Sequence, residues 1–503
     1  MNIKAENCYV ASNNKTLSYD LAVLGAGSAG FSAAITAANE GAQVALIGKG
    51  TIGGTCVNVG CVPSKALIRA TETLHISRVS KRFEGIEATA SVTNWKATVR
   101  QKQELVDDLR KAKYDNLLPD YNSITYLEGH AMFDKSGNLT LDGEKLHAKN
   151  IIIATGTHPS IPTIKGIEGV PYLTSTTALE LETLPNSLMV IGGGYISCEL
   201  AQMFSRAGVD VTIVSRRGLL PEAEPEIARA LTQYFVDEGI KIINVISYDW
   251  IENDDDKITL YFRDGNTPSN LVSEKVLIAT GRAPNINGLN LAGAGIEING
   301  NGIKVDGHMQ TTRKGVYAVG DVTGRDQFVY MAAYGAKIAA KNALNGNSFM
   351  YNNSAMPTVV FTDPQVASVG LTEAGARNRG LTVKTSLLTL DNVPRALAAR
   401  DTRGLIKLIA DSGSGKLLGA HIIAPEGADS IQTAALAIKT GMTYSELSDM
   451  IFPYLTTVEG LKLAAQTFDM DVKNYPVLRG RIFLNKIKYL LVKIIHQRNI
   501  KYK

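Results

Sequence analysis

Cys56 and Cys61 stand five positions apart in Gly53-Gly54-Thr55-Cys56-Val57-Asn58-Val59-Gly60-Cys61-Val62-Pro63-Ser64-Lys65. Thiols at this spacing can close a small disulfide loop, so the pair can hold two electrons. Glycines at 53, 54 and 60 let the backbone turn tightly and come close to a ring system. A helix beginning near Cys61 would set its positive end against a thiolate and make it a better electron donor or metal ligand. Half of a zinc site and a pair of buried thiols are the alternatives, but no second Cys/His pair lies at zinc-ligand spacing.

The segment before the pair offers a place for a cofactor. Asp20-Leu21-Ala22-Val23-Leu24 reads as a short apolar strand, followed by Gly25-Ala26-Gly27-Ser28-Ala29-Gly30 and an alanine-rich helix. In a strand, loop and helix of this kind, Gly25 and Gly27 allow the tight turn and a close pyrophosphate approach, while Gly30 permits helix–strand packing. The helix N-terminus favours the phosphate charge. The next strand, Gln43 to Ile47, follows at the distance a dinucleotide-binding fold requires. It ends in Gly48-Lys49, where such folds usually place an acid for the adenosine ribose, so no acidic ribose ligand is assigned.

A second unit of the same kind starts at Ser187-Leu188-Met189-Val190-Ile191 and continues Gly192-Gly193-Gly194-Tyr195-Ile196-Ser197, with Ser197 in the third glycine position. Two nucleotide sites in one chain imply electron transfer between cofactors. After the strand Asp210 to Val214 come Ser215-Arg216-Arg217, where an NAD-specific protein would commonly carry an acid. Arg216 and Arg217 suit the 2'-phosphate of NADPH. One charged hydrogen bond, worth about 1.5–3 kcal/mol before screening by solvent, would favour NADPH by about tenfold. A solvated basic turn is the alternative. Cys198, in the following helix, reads as a small buried hydrophobe.

Two further segments resemble each other: Ile151-Ile152-Ile153-Ala154-Thr155-Gly156 and Val276-Leu277-Ile278-Ala279-Thr280-Gly281-Arg282-Ala283-Pro284-Asn285. Each is a strand running into a glycine turn, and both read as junctions where the chain crosses between nucleotide domains. Gly315 to Val319 leads into Gly320-Asp321, a carboxylate at a strand end that can bind the sugar-like chain of a flavin or cap local backbone.

A chain of 503 residues, 45% hydrophobic and 20% charged, can bury large cores and is neither disordered nor fibrous. Its net charge of +4 is small for this length and gives no case for nucleic-acid binding. Four cysteines do not make a secreted disulfide framework. Residues 1–19 are polar, with neither an apolar signal core nor a membrane span, and contain the isolated Cys8. A cytoplasmic protein is expected.

Together these segments closely resemble the FAD-dependent pyridine nucleotide-disulfide oxidoreductases over residues 19–472. The resemblance implies an α/β fold with two Rossmann-like dinucleotide-binding domains and an α+β C-terminal dimerisation domain. Residues 1–18 would be a leader, 19–165 and 286–352 the two parts of the FAD-binding domain, and 166–285 the NADPH-binding domain. Residues 353–475 would form the interface domain and 476–503 a basic amphipathic tail. Within the interface domain, Gly404 to Ala410 and Lys416 to Ile423 read as strands around Ser412-Gly413-Ser414-Gly415, followed by a helix near Asp429 to Thr440.

The resemblance also implies an electron path from NADPH through FAD to the Cys56–Cys61 disulfide and then to substrate. Cys61 would face the flavin, with Cys56 as the outer, exchanging thiol. Lys65, one helical turn beyond Cys61, would lie near the flavin with Glu199 as its ionic partner, and Tyr195 would gate the nicotinamide pocket. Gly30, Gly50, Thr55, Lys65, Ala131, Asp321 and Val329 carry over as FAD contacts beside Gly25 and Gly27. Gly192, Gly194, Arg216 and Arg217 would hold NADPH.

Members of the family that reduce organic disulfides typically carry histidine where this chain has Tyr454 in Phe452-Pro453-Tyr454-Leu455-Thr456-Thr457-Val458-Glu459-Gly460, with an acid near Glu459. Protonating a leaving thiolate suits histidine, and tyrosine, with a reference pKa of about 10, replaces it poorly. Reducing a metal ion needs no such proton. Two thiolates match soft Hg(II), and a nearby phenol can orient or gate it. Phe361 to Ala367, Leu390 to Leu397 and Glu459 to Phe468 are similar to the mercuric reductase branch of the family. Hg(II), or its thiol complexes, is therefore the expected substrate, bound by Cys56 and Cys61. A homodimer is expected, with Tyr454 acting across the subunit boundary. The alternatives are a reductase of another disulfide or electron acceptor, and a flavoprotein that only binds a membrane or partner.

Two features depart from that branch. Its members often carry an N-terminal metal-binding domain with a Cys-x-x-Cys pair, and here only Cys8 precedes Cys56. The branch ends in adjacent cysteines that hand Hg(II) to the partner subunit, whereas no cysteine follows Cys198 in this sequence. Residues 476–503 instead set Ile487, Leu490, Leu491, Ile494 and Ile495 on one helical face, too interrupted by charge to span a bilayer. Peripheral membrane contact, docking on the protein, and a replacement tail from a changed reading frame are all open. A tethered thiol pair supplies an effective concentration on the order of millimolar, so small thiols carrying Hg(II) can partly replace it. Slower mercury reduction is expected, not its loss.

Overall fold

The computed structural model describes residues 18–244, 246–255, 257–300 and 302–468. Cys8 and the basic tail lie outside them. No helix among the described residues is long and apolar enough to cross a membrane. The chain divides into two compact units. One is built from the segment ending at Ser64, Arg100–Ser160 and Arg282–Tyr351, the other from Lys65–Val99, Ile161–Gly281 and the segment from Asn352 onward.

In the first unit a five-stranded parallel sheet runs in the order Val316–Ala318, His147–Ile153, Ser18–Leu24, Val44–Gly48, Ile124–Glu128. Its middle strands are continuous apolar runs because both faces are covered; Leu21, Ala22 and Val23 are fully buried. The helix Ser28–Asn39 connects the first two strands, and its alanine face (Ala33, Ala34, Ala37) clusters with Ala336, Ala339 and Ala340 of the helix Val329–Asn345. Small side chains let the two helices approach, and Ser32 Oγ donates to the Ala333 carbonyl at 2.9 Å.

The second unit holds two sheet cores, one built on a parallel and one on an antiparallel sheet. A four-stranded parallel sheet is ordered Lys241–Asn244, Asp210–Ser215, Ser187–Ile191, Lys275–Ile278. One face is covered by a three-stranded antiparallel sheet, Ile246–Asp254, Lys257–Asp264 and Thr267–Ser273, whose alternating Ile258, Leu260 and Phe262 pack on Met189, Ile191 and Val214. The other core is built on a five-stranded antiparallel sheet: Pro357–Val360, Gln365–Gly370, Leu417–Ala424, Leu405–Asp411, Val383–Thr389. Leu405 pairs with Ile423 there, and the helix Gly427–Thr440 packs Ile431, Ala434 and Ala435 into its core. The fold is α/β, with two Rossmann-like parallel sheets and an α+β C-terminal part.

Candidate active site

Both glycine loops are held the same way. Gly25 N–H donates to Ile47 O at 2.8 Å, and Ala154 N–H donates to Leu24 O at 2.7 Å. In the second unit Gly192 N–H donates to Val214 O at 2.9 Å, and Ala279 N–H to Ile191 O at 2.9 Å. Both first glycines have positive φ, +119° and +133°, and a Cβ on either would sit 2.3 Å from the facing alanine carbonyl, Ala154 or Ala279. Each Ala-Thr-Gly segment therefore closes over its own glycine loop.

Each loop ends in a helix with bare N–H groups. Gly27 caps Ser28–Asn39 and Gly194 caps Tyr195–Arg206, neither with a side-chain hydrogen bond, so the first-turn donors face outward as a phosphate site requires. No atom lies within 4 Å of a Cβ built on Gly194, and on Gly27 the nearest is Gly54 Cα at 3.5 Å. These open cradles fit a pyrophosphate. Gly30 serves packing. A Cβ there would fall 1.7 Å from the Gly25 carbonyl oxygen, so only glycine lets the helix lie this close to the loop. Ser197 replaces the third glycine of the second loop by donating its hydroxyl to Ala279 O at 3.1 Å.

The cysteine segment is stitched to the first loop. Gly53 N–H donates to Ala26 O at 2.9 Å, and Gly53 bridges Gly27. Cys56 lies on a short helix of its own, Gly54–Asn58, and Cys61 opens the separate helix Cys61–Arg78. The break at Val59-Gly60 brings residue 60 against the preceding turn, where a Cβ would lie 2.8 Å from Thr55 O. Asn58 Nδ2 ties the short helix to Ile52 O at 2.8 Å, and Arg110 donates to Asn58 Oδ1 at 3.1 Å. Cys56 is half-buried and Cys61 exposed. Tyr114, edge-on to Phe31 and hydrogen-bonded to Ser28, lies within electrostatic reach of both thiols; burial raises its phenol pKa.

Asp321 sits in the short 3-10 turn Gly320–Thr323. Burial raises its carboxyl pKa, opposed by a hydrogen bond from Thr157 and the charge of Arg282. Arg282 is itself half-buried, and desolvation disfavours its charge, while Asp321 and Cys61 favour it. A half-buried carboxylate beside a phosphate-ready loop and a thiol pair suits the polyol of a flavin. Of the remaining expected contacts, Gly50 and Thr55 are exposed, while Ala131 and Val329 are half-buried, each opening an element, Ala131–Phe133 and Val329–Asn345.

In the second unit Lys65 Nζ meets Glu199 Oε2 at 2.6 Å and stands 4.9 Å over the Phe361 ring. The other carboxylate oxygen of Glu199 accepts from Phe361 N–H at 2.9 Å, which holds this buried acid in place. Tyr195 lies one helical turn before Glu199 and is 39% exposed; burial raises its phenol pKa, opposed by a hydrogen bond with Thr358. Arg216 and Arg217 lie on the turn Ser215–Gly218, which Ser215 Oγ pins by accepting from Gly218 N–H at 2.9 Å. That turn abuts the second glycine loop: Leu220 N–H donates to Gly193 O at 2.7 Å. Basic groups beside a pyrophosphate cradle are placed for a 2'-phosphate. Cys198 is fully buried, and desolvation raises its pKa out of the reactive range.

Tyr454 is 69% exposed in a turn whose next residue, Leu455, has φ +62°. Glu459 holds that turn by accepting from Leu455 N–H at 3.1 Å. Ile451, 96% exposed, precedes it by three residues.

Residues 19–339 match the family model described as pyridine nucleotide-disulphide oxidoreductase, and residues 356–465 match the dimerisation domain of that family. Among curated relatives, the mercuric reductase of Lysinibacillus sphaericus is 43% identical over 456 residues, covering 90% of this chain and 83% of that protein. That of Shigella flexneri is 46% identical over 474 residues, covering 92% and 82%. The Cu(II) complex of the HOCl-induced flavoprotein disulfide reductase RclA from Escherichia coli matches with a TM-score of 0.79 at 30% identity, covering 90% of this chain and 99% of that one.

Proposed function

The chain belongs to the pyridine nucleotide-disulphide oxidoreductase family, and from that premise we propose that it uses NADPH and FAD to reduce Hg(II) to Hg(0) at Cys56 and Cys61. The observation that carries the reading is the thiol pair fastened by Gly53 to the phosphate loop, in a chain that aligns with mercuric reductases along most of its length. FAD, when bound by the Gly25–Gly27 loop, Asp321 and the start of the Val329 helix, supplies two-electron exchange with NADPH.

The chain's residues do the rest. Arg216 and Arg217 bind the 2'-phosphate, and the Gly192–Gly194 loop takes the pyrophosphate. Tyr195 stands at the nicotinamide, and Lys65 is fixed by Glu199 one turn beyond Cys61. The N-terminus of the helix Cys61–Arg78 favours a thiolate at Cys61. The two soft thiolates bind Hg(II), which takes up two electrons and leaves as Hg(0), while NADPH becomes NADP⁺ and releases a proton. No proton has to reach sulfur, so tyrosine at 454 is no handicap.

The dimerisation domain makes the chain a homodimer, and the exposed Leu436, Met450, Ile451 and Leu455 supply apolar surface for it. In that assembly Tyr454 serves the partner's thiol pair. The assignment of residues 19–165 and 286–352 to FAD, 166–285 to NADPH and 353–475 to the interface belongs to this reading, as does a cytoplasmic location. Residues 476–503 lie outside the described residues, and we assign them no role.

Reduction of another acceptor is the second reading, favoured by the structural likeness to a flavoprotein disulfide reductase in complex with Cu(II). Purified holoenzyme given NADPH with Hg(II) in excess thiol, Cu(II), oxidised glutathione or lipoamide separates the two. Hg(II)-dependent NADPH oxidation with matching Hg(0) release is expected. Faster oxidation with Cu(II) or a disulfide, and no Hg(0), would favour the second reading.

A further inference from the structure

We propose that Thr157 is a positioning residue of the flavin site, its hydroxyl wedged between Arg282 and Asp321 so that one oxygen of Asp321 is fixed and the other is presented to the FAD polyol. The inference rests on the assignment of Asp321 to FAD.

Thr157 opens the strand Thr157–Pro159, which pairs antiparallel with Arg282–Pro284. The pairing brings together residues 125 positions apart. Arg282 Nε donates to Thr157 Oγ1 at 2.7 Å and its Nη2 donates to the Thr157 carbonyl at 2.8 Å. A guanidinium only donates and a carboxylate only accepts, so the single hydroxyl proton of Thr157 must point to Asp321 Oδ2, 3.0 Å away. The direction of the relay is thus determined without seeing a hydrogen. Thr157 is 5% exposed, so water does not compete for these bonds.

Asp321 Oδ1 has no hydrogen-bond partner among the described residues, which leaves its lone pairs for a ligand hydroxyl. Asn285 braces the same corner, donating its side-chain Nδ2 to Thr155 O at 2.8 Å and accepting from Thr155 Oγ1 at its own carbonyl, also at 2.8 Å. Thr157 does more than fill space: it holds the Asp321 rotamer and, with Arg282, opposes the desolvation that disfavours the carboxylate.

The test titrates FAD into the full-length protein freed of flavin, reading quenching of flavin fluorescence across pH. Thr157→Val keeps the shape and removes the hydroxyl, and Thr157→Ser keeps the hydroxyl. Loss of one hydrogen bond to a charged group should weaken FAD binding on the order of tenfold in Thr157→Val. The pH at which binding fails on acidification should move upward, and Thr157→Ser should restore both. Wild-type affinity and pH profile in Thr157→Val, or a Thr157→Ser variant as impaired as Thr157→Val, would overturn the proposal. Asp321→Asn distinguishes its failure from that of the underlying assignment. If that variant binds FAD as the wild type does, the assignment falls and the relay with it. If Asp321→Asn is impaired and Thr157→Val is not, only the relay falls.

Discussion

Arg217 is paired with Glu222 at 2.9 Å, with both side chains at least 70% exposed. A surface pair of this kind is worth about 0–1 kcal/mol, so a 2'-phosphate can displace the glutamate with little loss. Replacing Arg216 and Arg217 together by Gln is expected to raise KM for NADPH about tenfold while leaving KM for NADH unchanged, measured by steady-state kinetics with each cofactor. An equal response to both cofactors would make the turn solvated surface. Lys65→Met should act on stability: it leaves Glu199, 6% exposed, with its charge uncompensated. A cost of about 3 kcal/mol in the urea unfolding free energy is expected, at the low end for buried pairs because Lys65 itself is partly exposed. Cys56, Cys61 and both glycine loops were legible because their types and spacing are local, whereas Glu199, 134 positions from Lys65, came only with the family resemblance. Thr157 and Arg282 were not, because their meaning comes from the pairing of two strands far apart in sequence.

The paired loops show how much of the site is carried by elements. Gly192 and Gly194 differ in what a side chain would meet, so they should fail differently. Gly192→Ala places a Cβ 2.3 Å from Ala279 O at φ +133° and should lower the thermal midpoint. Gly194→Ala, with open space and an ordinary φ of −83°, should leave that midpoint unchanged while weakening NADPH binding in a direct titration. The helix Cys61–Arg78 also carries an acid-sensitive group. His75 is 7% exposed, and its Nε2 has no hydrogen-bond partner among the described residues. Burial and Arg206 hold its pKa below the usual histidine range, outweighing Glu238 and Asp363, each 3.8 Å away. The unfolded chain takes up a proton at about pH 6.5 that the folded chain accepts only at lower pH, so this group's contribution to stability is full above that value and falls below it. His75→Gln should narrow the gap between the urea midpoints at about pH 7.5 and about pH 5.5. The first two strands, the helix at Cys61 and the interface strands could be read to within two residues from local apolar runs and turn residues. That Cys56 rides a separate helix could not, because the break follows from the contact of Gly60 with the Thr55 carbonyl.

At the scale of the molecule, the apolar residues around Tyr454 report an assembly. Ile451 is 96% exposed within the segment that matches the dimerisation domain, so Ile451→Glu is expected to shift the sedimentation coefficient from dimer toward monomer without loss of FAD from either species. The two nucleotide domains were readable from repeated strand, glycine and helix patterns. The antiparallel sheet over residues 246–273 is also written locally, since Ile258, Leu260 and Phe262 alternate and Asp264-Gly265 marks its second hairpin, but nothing in its residues bears on the chemistry, which is where the sequence was read most closely. Two thiols and two electrons stand at the centre of the mechanism. It is tested most directly by counting, without oxygen, the NADPH oxidised and the Hg(0) released by the wild type, Cys56→Ser and Cys61→Ser. One Hg(0) per NADPH from the wild type and none from either variant, each still carrying FAD, is the expected result. Sustained Hg(0) release by either single variant would contradict the mechanism.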